Sequence, residues 1–324
     1  MEKISFCVTY YNQESCVEKS LSSIFSMDIP CDFEVIVGDD GSSDNTLSEV
    51  KKFIDLYPNK IKVFVQDRTE NAKTINRASL NRLNIAKQAT GDYIIFLDGD
   101  DHYCYNGVIK KALTILNNDK ELIACGANFK YVYPDGREEV FTQKLIEGKI
   151  KSTNYISNGY YIPSGAILFR NILTKENINF LEKINNFDDN AITIYMLQFG
   201  DLYYTDTVFY GYYQCPNSLW SQCNNIEKDI LNAMDYKLIT MMAPQFQLEI
   251  LKRQYGALKA LYKTKSILHK SAAKYIDICK NNKDTFLLNL FNWNEISATQ
   301  RFKAIIDWNL IKLSKKLNIL LYKG

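Results

Sequence analysis

The chain has 324 residues, and its 46% apolar share is enough for a full hydrophobic core, which excludes a disordered chain. No run approaches the ~20 apolar residues that cross a bilayer, and eight cysteines without a CxxC pair favour a reducing cytoplasm. The net charge of +2 hides an asymmetry. Residues 225–324 hold 17 Lys and Arg against 8 Asp and Glu (a net of +9), whereas the first 224 residues hold 22 against 29 (a net of −7). The two parts are expected to meet different partners.

Short apolar strands and amphipathic helices alternate through the first hundred residues. Strands are predicted at 4–8, 33–37, 61–65 and 93–97. Asn12 is expected to cap the first helix, Ser43 or Asp44 the second, and a third helix is predicted over 74–89. This alternation implies right-handed βαβ units, so we predict an α/β, Rossmann-like fold with a mostly parallel sheet and flanking helices.

The pattern loosens after residue 101 and changes again near the end of the chain. A helix is predicted over 107–117, a strand over 164–170, and a helix that begins with two aspartates near 187–199. From about residue 225 the chain becomes basic and poor in Gly and Pro. We therefore predict two domains, residues 1–222 and a mostly helical region at 223–324.

The stretch YIIFLDGDD, residues 93–101, ends an apolar strand in three aspartates. Carboxylates this close repel one another unless a cation lies among them. Oxygen ligands of this kind suit Mg²⁺ or Mn²⁺, which bind through one or two carboxylates together with substrate phosphates. We therefore predict a metal site at Asp98 and Asp100, with Gly99 allowing a sharp turn between them. The alternative is a solvated acidic turn without a role.

Other polar residues follow the first two strands, at the edge of a parallel sheet where ligands bind. Thr9 and Tyr11 follow strand one, and Asp39 ends strand two. No GxGxxG and no Walker lysine is present, so a divalent cation is needed to hold phosphates at this acidic edge. Asp39 could simply cap the next helix. Because Ser43 or Asp44 can do so, Asp39 is expected to be free to accept hydrogen bonds from a base ring.

Four segments in this order resemble the motifs of the large inverting family-two glycosyltransferases of GT-A fold, of the bacterial polysaccharide type. They are VTYYNQESCVEKSLSSI, EVIVGDDGSSDNT, ATGDYIIFLDGDD and FDDNAITIYMLQFGD, and the resemblance covers roughly residues 3–220. It implies that residues 1–222 are the catalytic domain and that the donor is a nucleotide sugar.

The resemblance also implies roles for single residues. Thr9, Tyr11 and Asp39 would surround the donor's nucleoside, and Asp98 and Gly99 would complete the donor site. Asp98 and Asp100 match the family's metal-binding DxD motif, with Asp100 as the direct ligand of Mn²⁺ or Mg²⁺.

The family's catalytic base is the Asp of a Glu-Asp pair that precedes a helix. Here the pair is Asp188-Asp189, so the base maps to Asp189, with Asp188 as the second candidate and simple helix capping as the alternative. Arg77 or Arg82 is a candidate for the donor phosphates. Trp220 is the best aromatic candidate for stacking on an acceptor sugar.

The expected enzyme is an inverting hexosyl- or hexosaminyltransferase that uses a nucleotide-diphosphate sugar, in the first place a UDP-sugar. Its acceptor would be a hydroxyl of a growing glycan or a lipid-linked saccharide, and no nucleic acid is expected as a partner. A sugar-1-phosphate nucleotidyltransferase and a non-catalytic nucleotide-sugar-binding protein are the alternatives. The expected location is the cytoplasm, including the inner face of the plasma membrane as a peripheral protein.

The last helix combines an apolar face with basic residues. Phe302, Ile305, Ile306, Leu310, Leu313, Leu317, Leu320 and Leu321 recur at helical spacing. Five basic residues lie largely off this face. The pattern is typical of a helix on an anionic membrane surface, and equally of a helix packed on its own domain or in a homo-oligomer contact.

Overall fold

The computed structural model describes residues 2–67, 75–184, 186–216 and 218–322. It forms two compact units, Met1–Ser152 with Tyr160–Cys215 and Thr153–Gly159 with Pro216–Gly324. Compactness thus changes after Cys215, whereas the predicted catalytic domain ends at residue 222. The extent of that domain stays a prediction, because compactness does not report where catalytic residues end.

The first unit contains a mixed β-sheet. Its strands are β1 Lys3–Tyr10, β2 Asp32–Asp39, β3 Ile61–Val65, β4 Tyr93–Asp98, β5 His102–Tyr103, β6 Leu122–Val132, β7 Glu138–Val140, β8 Gly148–Ile150, β9 Ile167–Arg170 and β10 Asp201–Tyr213. Among the described residues they lie in the order β3-β2-β1-β4-β9-β6-β10-β5, with β7 beside β6 and β8 beside β10. Strands β1 to β4 pair in parallel, β6 pairs in parallel with β10, and β9 runs antiparallel between β4 and β6. The predicted Rossmann-like, mostly parallel fold is confirmed.

The strands in the middle of this sheet are buried along most of their length. Phe6, Val35 and Ile95 have no exposed surface, and the polar Ser5 and Glu34 of these strands are buried too, as expected for strands covered on both faces. The helices that precede β10 in the chain are α1 Val17–Phe25, α2 Thr46–Leu56, α3 Ile75–Ala86, α4 Val108–Asn118, α5 Ser152–Ser157, α6 Lys175–Ile184 and α7 Asp189–Met196. All of α5 except Ser152 belongs to the second unit.

The starts of the first two helices differ from the predicted caps. Asn12 does not cap α1, which begins after Cys16 without a side-chain cap. Instead, Asn12 has a left-handed φ of 50°, and its Oδ1 accepts a hydrogen bond of 2.8 Å from the Ser43 backbone N. The N-cap residue of α2 is Asn45, without a side-chain cap, although Asp44 just before it accepts a hydrogen bond of 3.0 Å from the backbone N of Thr46. The predicted start of the third helix at Thr74 lies outside the described residues.

The second unit is helical, as predicted for the basic part of the chain. Its main helices are α8 Leu219–Gln222, α9 Asn225–Met242, α10 Gln247–Thr264, α11 His269–Ala272, α12 Ile276–Asn281, α13 Thr285–Phe291 and α14 Ala298–Leu317. Capping boxes start α9 and α14, with Asn224 paired to Glu227 and Ser297 to Gln300. Of the helices in the described ranges, none combines the length and apolar character needed to cross a membrane.

A buried carboxylate of β2 ties the start of the sheet together, and it makes a testable contribution to stability. Glu34 is 4% exposed, lies 3.1 Å from Lys3 Nζ and 2.9 Å from Lys62 Nζ, and accepts hydrogen bonds from Ser5 and Thr90. Burial acts to raise the pKa of Glu34, but the hydrogen bonds from Thr90 and Lys62 prevail and lower it to about 2.

We expect Glu34→Gln to lower the free energy of unfolding by about 1–3 kcal/mol at neutral pH. Because the folded-state pKa is depressed, this stabilisation is present above the ordinary glutamate pKa and is lost as the pH falls towards 2. Urea unfolding at neutral pH and at about pH 3 measures the difference between wild type and variant. A difference that does not shrink on acidification would contradict the assignment.

Candidate active site

The parallel pairing of β1 with β2 and β4 gathers the predicted residues at one edge of the sheet. In the strand register Thr9 is opposite Asp98, and Tyr10 is opposite Asp39. The Thr9 hydroxyl donates a hydrogen bond of 3.1 Å to Asp98 Oδ1. Tyr11, just beyond the end of β1, is 41% exposed. The fold therefore brings the ends of three strands together, as expected from their polar residues.

Asp39 is fully buried and holds the turn that follows it. Its Oδ1 accepts hydrogen bonds from the backbone N of Gly41 at 3.1 Å and of Ser42 at 2.9 Å, and its Oδ2 accepts one of 2.5 Å from Ser42 Oγ. The expectation that Asp39 is free of its own turn is wrong, because the left-handed Gly41 (φ 73°) turns both backbone N–H groups onto the carboxylate. A carboxylate offers about four acceptor sites, so Asp39 retains capacity for one further donor.

Asp98 has a cationic partner that the sequence pattern did not reveal. Arg82 of α3 donates a hydrogen bond of 2.6 Å from Nη2 to Asp98 Oδ1, and one of 3.1 Å from Nη1 to the Phe187 carbonyl. Burial acts to lower the pKa of Arg82, but the charges of Asp98 and Asp189 raise it, so the guanidinium stays charged. Arg82 Nε is buried without a hydrogen-bond partner. Arg82 thus connects Asp98 to the segment before α7.

The other two aspartates of the acidic run have different surroundings. Asp101 is buried, and its carboxylate accepts hydrogen bonds from the Tyr210 hydroxyl and from the Tyr213 backbone N. Burial, followed by repulsion from Asp98, raises the pKa of Asp100 to about 6. The three charges are therefore not equivalent: Asp98 is paired with a guanidinium and Asp101 is hydrogen-bonded into the fold. Asp100 is the carboxylate that a further cation would stabilise most.

Glycine is needed at position 99 because no side chain fits there, and not because of its backbone conformation, which lies outside the left-handed region. A Cβ atom at this position would overlap the ring of the buried Tyr10, and it would come within 2.7 Å of Gln13 Oε1. The Gly99 backbone N donates a hydrogen bond of 2.8 Å to the Thr9 carbonyl. Glycine therefore lets β1 approach the acidic turn closely. The turn itself is present as predicted, because the Asp101 backbone N donates a hydrogen bond of 2.9 Å to the Asp98 carbonyl.

The two aspartates before α7 have separate partners. Asp188 is the N-cap residue of α7, and its Oδ1 accepts a hydrogen bond of 2.8 Å from the Ala191 backbone N. Asp189 Oδ1 accepts hydrogen bonds from Ser164 Oγ at 2.5 Å and from Ser164 N at 3.3 Å, whereas Oδ2 accepts one of 3.3 Å from the Tyr161 hydroxyl. Asp188 is thus occupied by capping, and Asp189 keeps one oxygen with a single, longer hydrogen bond.

The electrostatic surroundings of Asp189 act in opposite directions. Removal from water raises its pKa, whereas the charge of Arg82 lowers it, and the net pKa is above that of an ordinary aspartate. Burial and the charge of Asp189 raise the pKa of Tyr161, so its hydroxyl stays protonated and able to donate. An aspartate with this balance can take up a proton more readily than an exposed one.

Several residues of this site were missed by the sequence reasoning. Ser164 and Tyr161 come from a segment with no motif. Arg82 was a candidate, with Arg77, for the donor phosphates, but its pairing with Asp98 was not foreseen. Tyr212 of β10 was missed too. Burial and then the charges of Asp189, Asp101 and Asp98 raise its pKa to a value far above normal, so its hydroxyl lies within the field of the carboxylates. Nothing in the spacing of the 22 tyrosines distinguishes these two, because only the fold brings β10 and residues 161–164 to the aspartates.

The remaining candidates have other partners. Arg77 makes a buried, two-pronged ion pair with Asp40, with Nη2–Oδ1 at 2.6 Å and Nε–Oδ2 at 2.9 Å. Its guanidinium is therefore engaged with the protein. Trp220 belongs to the second unit, where it is 48% exposed and its ring centroid is 5.5 Å from Lys228 Nζ. Its predicted role in acceptor binding stays a prediction.

The predicted metal ligands fit a divalent cation only if the substrate completes the site. Among the residues that the structure describes, no group of three or more His, Cys, Asp or Glu side chains could hold an ion. Two carboxylates, with Asp100 short of a cationic neighbour, match the pattern of Mg²⁺ and Mn²⁺ sites that take their other ligands from substrate phosphates and water. The donor set therefore fits, and Asp98 and Asp100 are the residues that would hold such an ion.

Comparison with known proteins gives the class of this enzyme. Residues 5–175 match the model of glycosyl transferase family 2, which is more than half of the chain. The chain therefore belongs to that family and is a glycosyltransferase of GT-A fold, as the sequence motifs predicted. Family membership decides against the nucleotidyltransferase alternative.

Individual relatives are also named as sugar transferases. An uncharacterized glycosyltransferase of Mycoplasma pneumoniae, the MG060 homolog, is 28% identical over 274 residues, which are 78% of this chain and 86% of that protein. The poly(ribitol-phosphate) beta-N-acetylglucosaminyltransferase TarS of Staphylococcus aureus is 30% identical over 201 residues, 60% of this chain but only 32% of TarS. The chain thus matches about a third of TarS. The structure of TarS residues 1–349 with UDP-GlcNAc superimposes with a TM-score of 0.63 at 18% identity, covering 98% of this chain and 92% of that one.

Proposed function

We propose that the enzyme transfers a hexosyl or N-acetylhexosaminyl group from a UDP-sugar to a hydroxyl of a growing glycan or a lipid-linked saccharide, with inversion at the anomeric carbon. The observation that carries this proposal is that Arg82 connects two separate carboxylate sites, one at Asp98 and Asp100 and the other at Asp189. Asp98 and Asp100 lie at the strand ends, and Asp189 lies in the segment that Arg82 also holds. Sugar transfer needs one group beside the donor diphosphate and another that takes the proton from the acceptor hydroxyl, and these two carboxylate sites would supply them.

UDP is the proposed nucleotide because TarS has been solved with UDP and with UDP-GlcNAc. Asp39, Thr9 and Tyr11 are proposed to surround the uracil and ribose. Asp39 would use its remaining acceptor site for the base ring, while its other hydrogen bonds keep the turn at residues 41 and 42 in place. Asp98 and Gly99 would line the donor next to the diphosphate.

The chain's own residues can account for proton transfer. Asp189 Oδ1 is held by Ser164, so the carboxylate is oriented, and Oδ2 is the oxygen available to accept the proton of the acceptor hydroxyl. The Tyr161 hydroxyl donates to the same Oδ2 and would stabilise it in the charged state before the reaction. As the acceptor oxygen attacks the anomeric carbon, the bond from that carbon to the UDP oxygen breaks, and the proton passes to Asp189. Attack opposite the leaving group inverts the configuration.

Asp100 and Asp98 are proposed to hold Mn²⁺ or Mg²⁺ together with the donor diphosphate. When bound, the ion supplies Lewis-acid stabilisation of the negative charge that develops on the leaving UDP. Arg82 keeps Asp98 oriented and balances its charge. Residues of the protein thus provide orientation and electrostatics, while the covalent change is confined to donor and acceptor.

A donor screen tests the proposed function without knowledge of the acceptor. The purified chain is incubated with UDP-glucose, UDP-galactose, UDP-GlcNAc and UDP-GalNAc, each with and without Mn²⁺, and thermal stability and released UDP are measured. We expect one UDP-sugar to raise the melting temperature in the presence of Mn²⁺ and to be slowly hydrolysed, with water as acceptor. GDP-mannose serves as the control nucleotide sugar. A thermal shift without any UDP release, even with glycan acceptors added, would favour the non-catalytic nucleotide-sugar-binding alternative.

A further inference from the structure

Helix α14 has two apolar faces, and the structure buries only one of them. Ala304, Trp308, Ile311 and Ser314 are buried within the helical unit. The Trp308 ring stacks on Tyr262 with ring centroids 4.7 Å apart and on Tyr255 at 5.7 Å. This face accounts for the attachment of α14 to its own unit.

The opposite face of α14 carries large apolar side chains in contact with solvent. These side chains, here termed the apolar stripe, are Phe302 (64% exposed), Ile305 (38%), Ile306 (42%), Leu313 (43%) and Leu317 (53%). At 1.5 Å per residue the stripe is about 22 Å long. Single exposed leucines are ordinary, but five large side chains aligned on one helix face are typical of an interaction site.

The charge around the stripe is strongly positive. Helix α14 holds five basic residues and one acidic residue, Asp307. The lysines Lys303, Lys312, Lys315 and Lys316 are all exposed. Helical periodicity sets Lys303 on one side of the stripe and Lys312 on the other, whereas Lys316 falls within the arc of the stripe near its C-terminal end.

We propose that the apolar stripe binds an anionic lipid surface, with α14 lying in the plane of the membrane interface. Phe302 and the aliphatic side chains would enter the acyl boundary, and the flanking lysines would meet the phosphate headgroups. A second copy of the chain is a poorer occupant, because a two-fold contact would bring two α14 helices of net charge +4 (five basic residues minus one acidic) against each other. This inference does not rest on the proposed sugar donor.

Sedimentation with vesicles tests the proposal. The vesicles consist of phosphatidylcholine alone or of phosphatidylcholine mixed with phosphatidylglycerol, and bound protein is measured after centrifugation. We expect wild type to bind the mixed vesicles and to dissociate as salt is raised. The double variant Phe302→Glu, Leu313→Glu should lose at least tenfold in affinity, since each side chain contributes about a factor of ten or more when buried. Ile146→Glu, at an 82% exposed position in the sheet unit, is the matched control and should bind like wild type.

A second pair of variants separates the charge contribution from the apolar one. Lys303→Gln with Lys316→Gln should lower affinity for the mixed vesicles by about 30-fold, because each lysine near an anionic surface contributes about a factor of five. Lys51→Gln with Lys52→Gln, exposed on α2, is the control and should have little effect. Circular dichroism and hydrolysis of the donor without vesicles should be unchanged in all four variants.

Three outcomes would overturn the proposal. One is wild-type protein that stays in the supernatant with both vesicle types. Another is undiminished binding by the Phe302→Glu, Leu313→Glu variant. The third is a wild-type dimer by light scattering that this variant converts to a monomer while vesicle binding is absent. That last result would assign the stripe to a second copy of the chain.

Discussion

Replacement of Asp189 by asparagine is expected to lower kcat for transfer to the acceptor by about 100- to 10,000-fold, the usual contribution of a general base. The asparagine side chain keeps the size of aspartate, and its carbonyl oxygen can still accept the hydrogen bond from Ser164. The protein should therefore fold and bind the UDP-sugar with little change in affinity. Steady-state kinetics with the donor found by screening, together with donor titration, separate the two effects.

Asp188→Asn is the matched control for this experiment. Asparagine is as good an N-cap residue as aspartate, so the hydrogen bond from Ala191 N can be kept and α7 should be undisturbed. We expect kcat within about threefold of wild type, since Asp188 is only next to the proposed base. If Asp188→Asn abolishes transfer and Asp189→Asn does not, the base is Asp188 and the assignment of Asp189 is wrong.

The pH profile gives a second test of the same residue. A base must be ionised, so activity should fall on the acidic side as Asp189 becomes protonated. Because the pKa of Asp189 is raised above its ordinary value by removal from water, this acidic limb should lie at higher pH than that of an exposed aspartate. With saturating Mn²⁺, which keeps the proposed ligand Asp100 ionised, the limb should disappear in Asp189→Asn.

Replacement of Asp100 by asparagine has the second large expected effect. Turnover should fall by about 100-fold or more, because loss of the principal ligand removes several kcal/mol of stabilisation of the leaving group. Donor affinity should no longer respond to Mn²⁺ or Mg²⁺. Thermal stability should not fall, since the charge of Asp100 is already unfavourable beside Asp98 in a half-buried position.

Asp101→Asn separates the metal effect from a general disturbance of the acidic turn. Asp101 accepts hydrogen bonds from Tyr210 and from Tyr213 N, so its replacement should lower the melting temperature while the response to Mn²⁺ is retained. Isothermal titration of the UDP-sugar with and without Mn²⁺ measures the response in each variant. An Asp100→Asn protein with wild-type Mn²⁺ dependence would contradict the role proposed for Asp100.

Local patterns in the sequence were sufficient for most of the fold. The segments 4–8, 33–37, 61–65 and 93–97 are mostly apolar and bounded by polar turns, and each lies within an observed strand. Parallel pairing then brings Thr9 beside Asp98 without any further information. These features depend on short-range periodicity, which a single sequence displays directly.

Contacts between distant segments were the part that could not be predicted. Arg82 lies 16 residues before Asp98 and 105 before Phe187, and only the packing of α3 on the sheet brings it to both. The capping prediction for Asn12 failed for a related reason: its left-handed conformation turns its amide to the loop after β2. In both cases a tertiary hydrogen bond, which no short-range pattern displays, sets the position of the side chain.

The last helix shows that an apolar count does not identify the buried face. The sequence left open whether the Ile- and Leu-rich stripe packs on its own domain or lies on a membrane, and the buried face uses Ala304, Trp308, Ile311 and Ser314. Small residues permit close approach, and the Trp308 ring fills the space by stacking on two tyrosines. Hydrophobicity alone does not distinguish a face that packs inside the protein from one that is available to a lipid surface.

The stereochemistry of donor hydrolysis tests the central claim most directly, because it requires no acceptor. Proton NMR is recorded from the start of the reaction of the wild-type enzyme with the active UDP-sugar, whose sugar is α-linked, before the free sugar mutarotates. Our account predicts that the β-anomer signal appears first, in step with UDP release, and that Asp189→Asn greatly slows both. Initial release of the α-anomer would contradict the inverting mechanism and with it the role of Asp189 as the base.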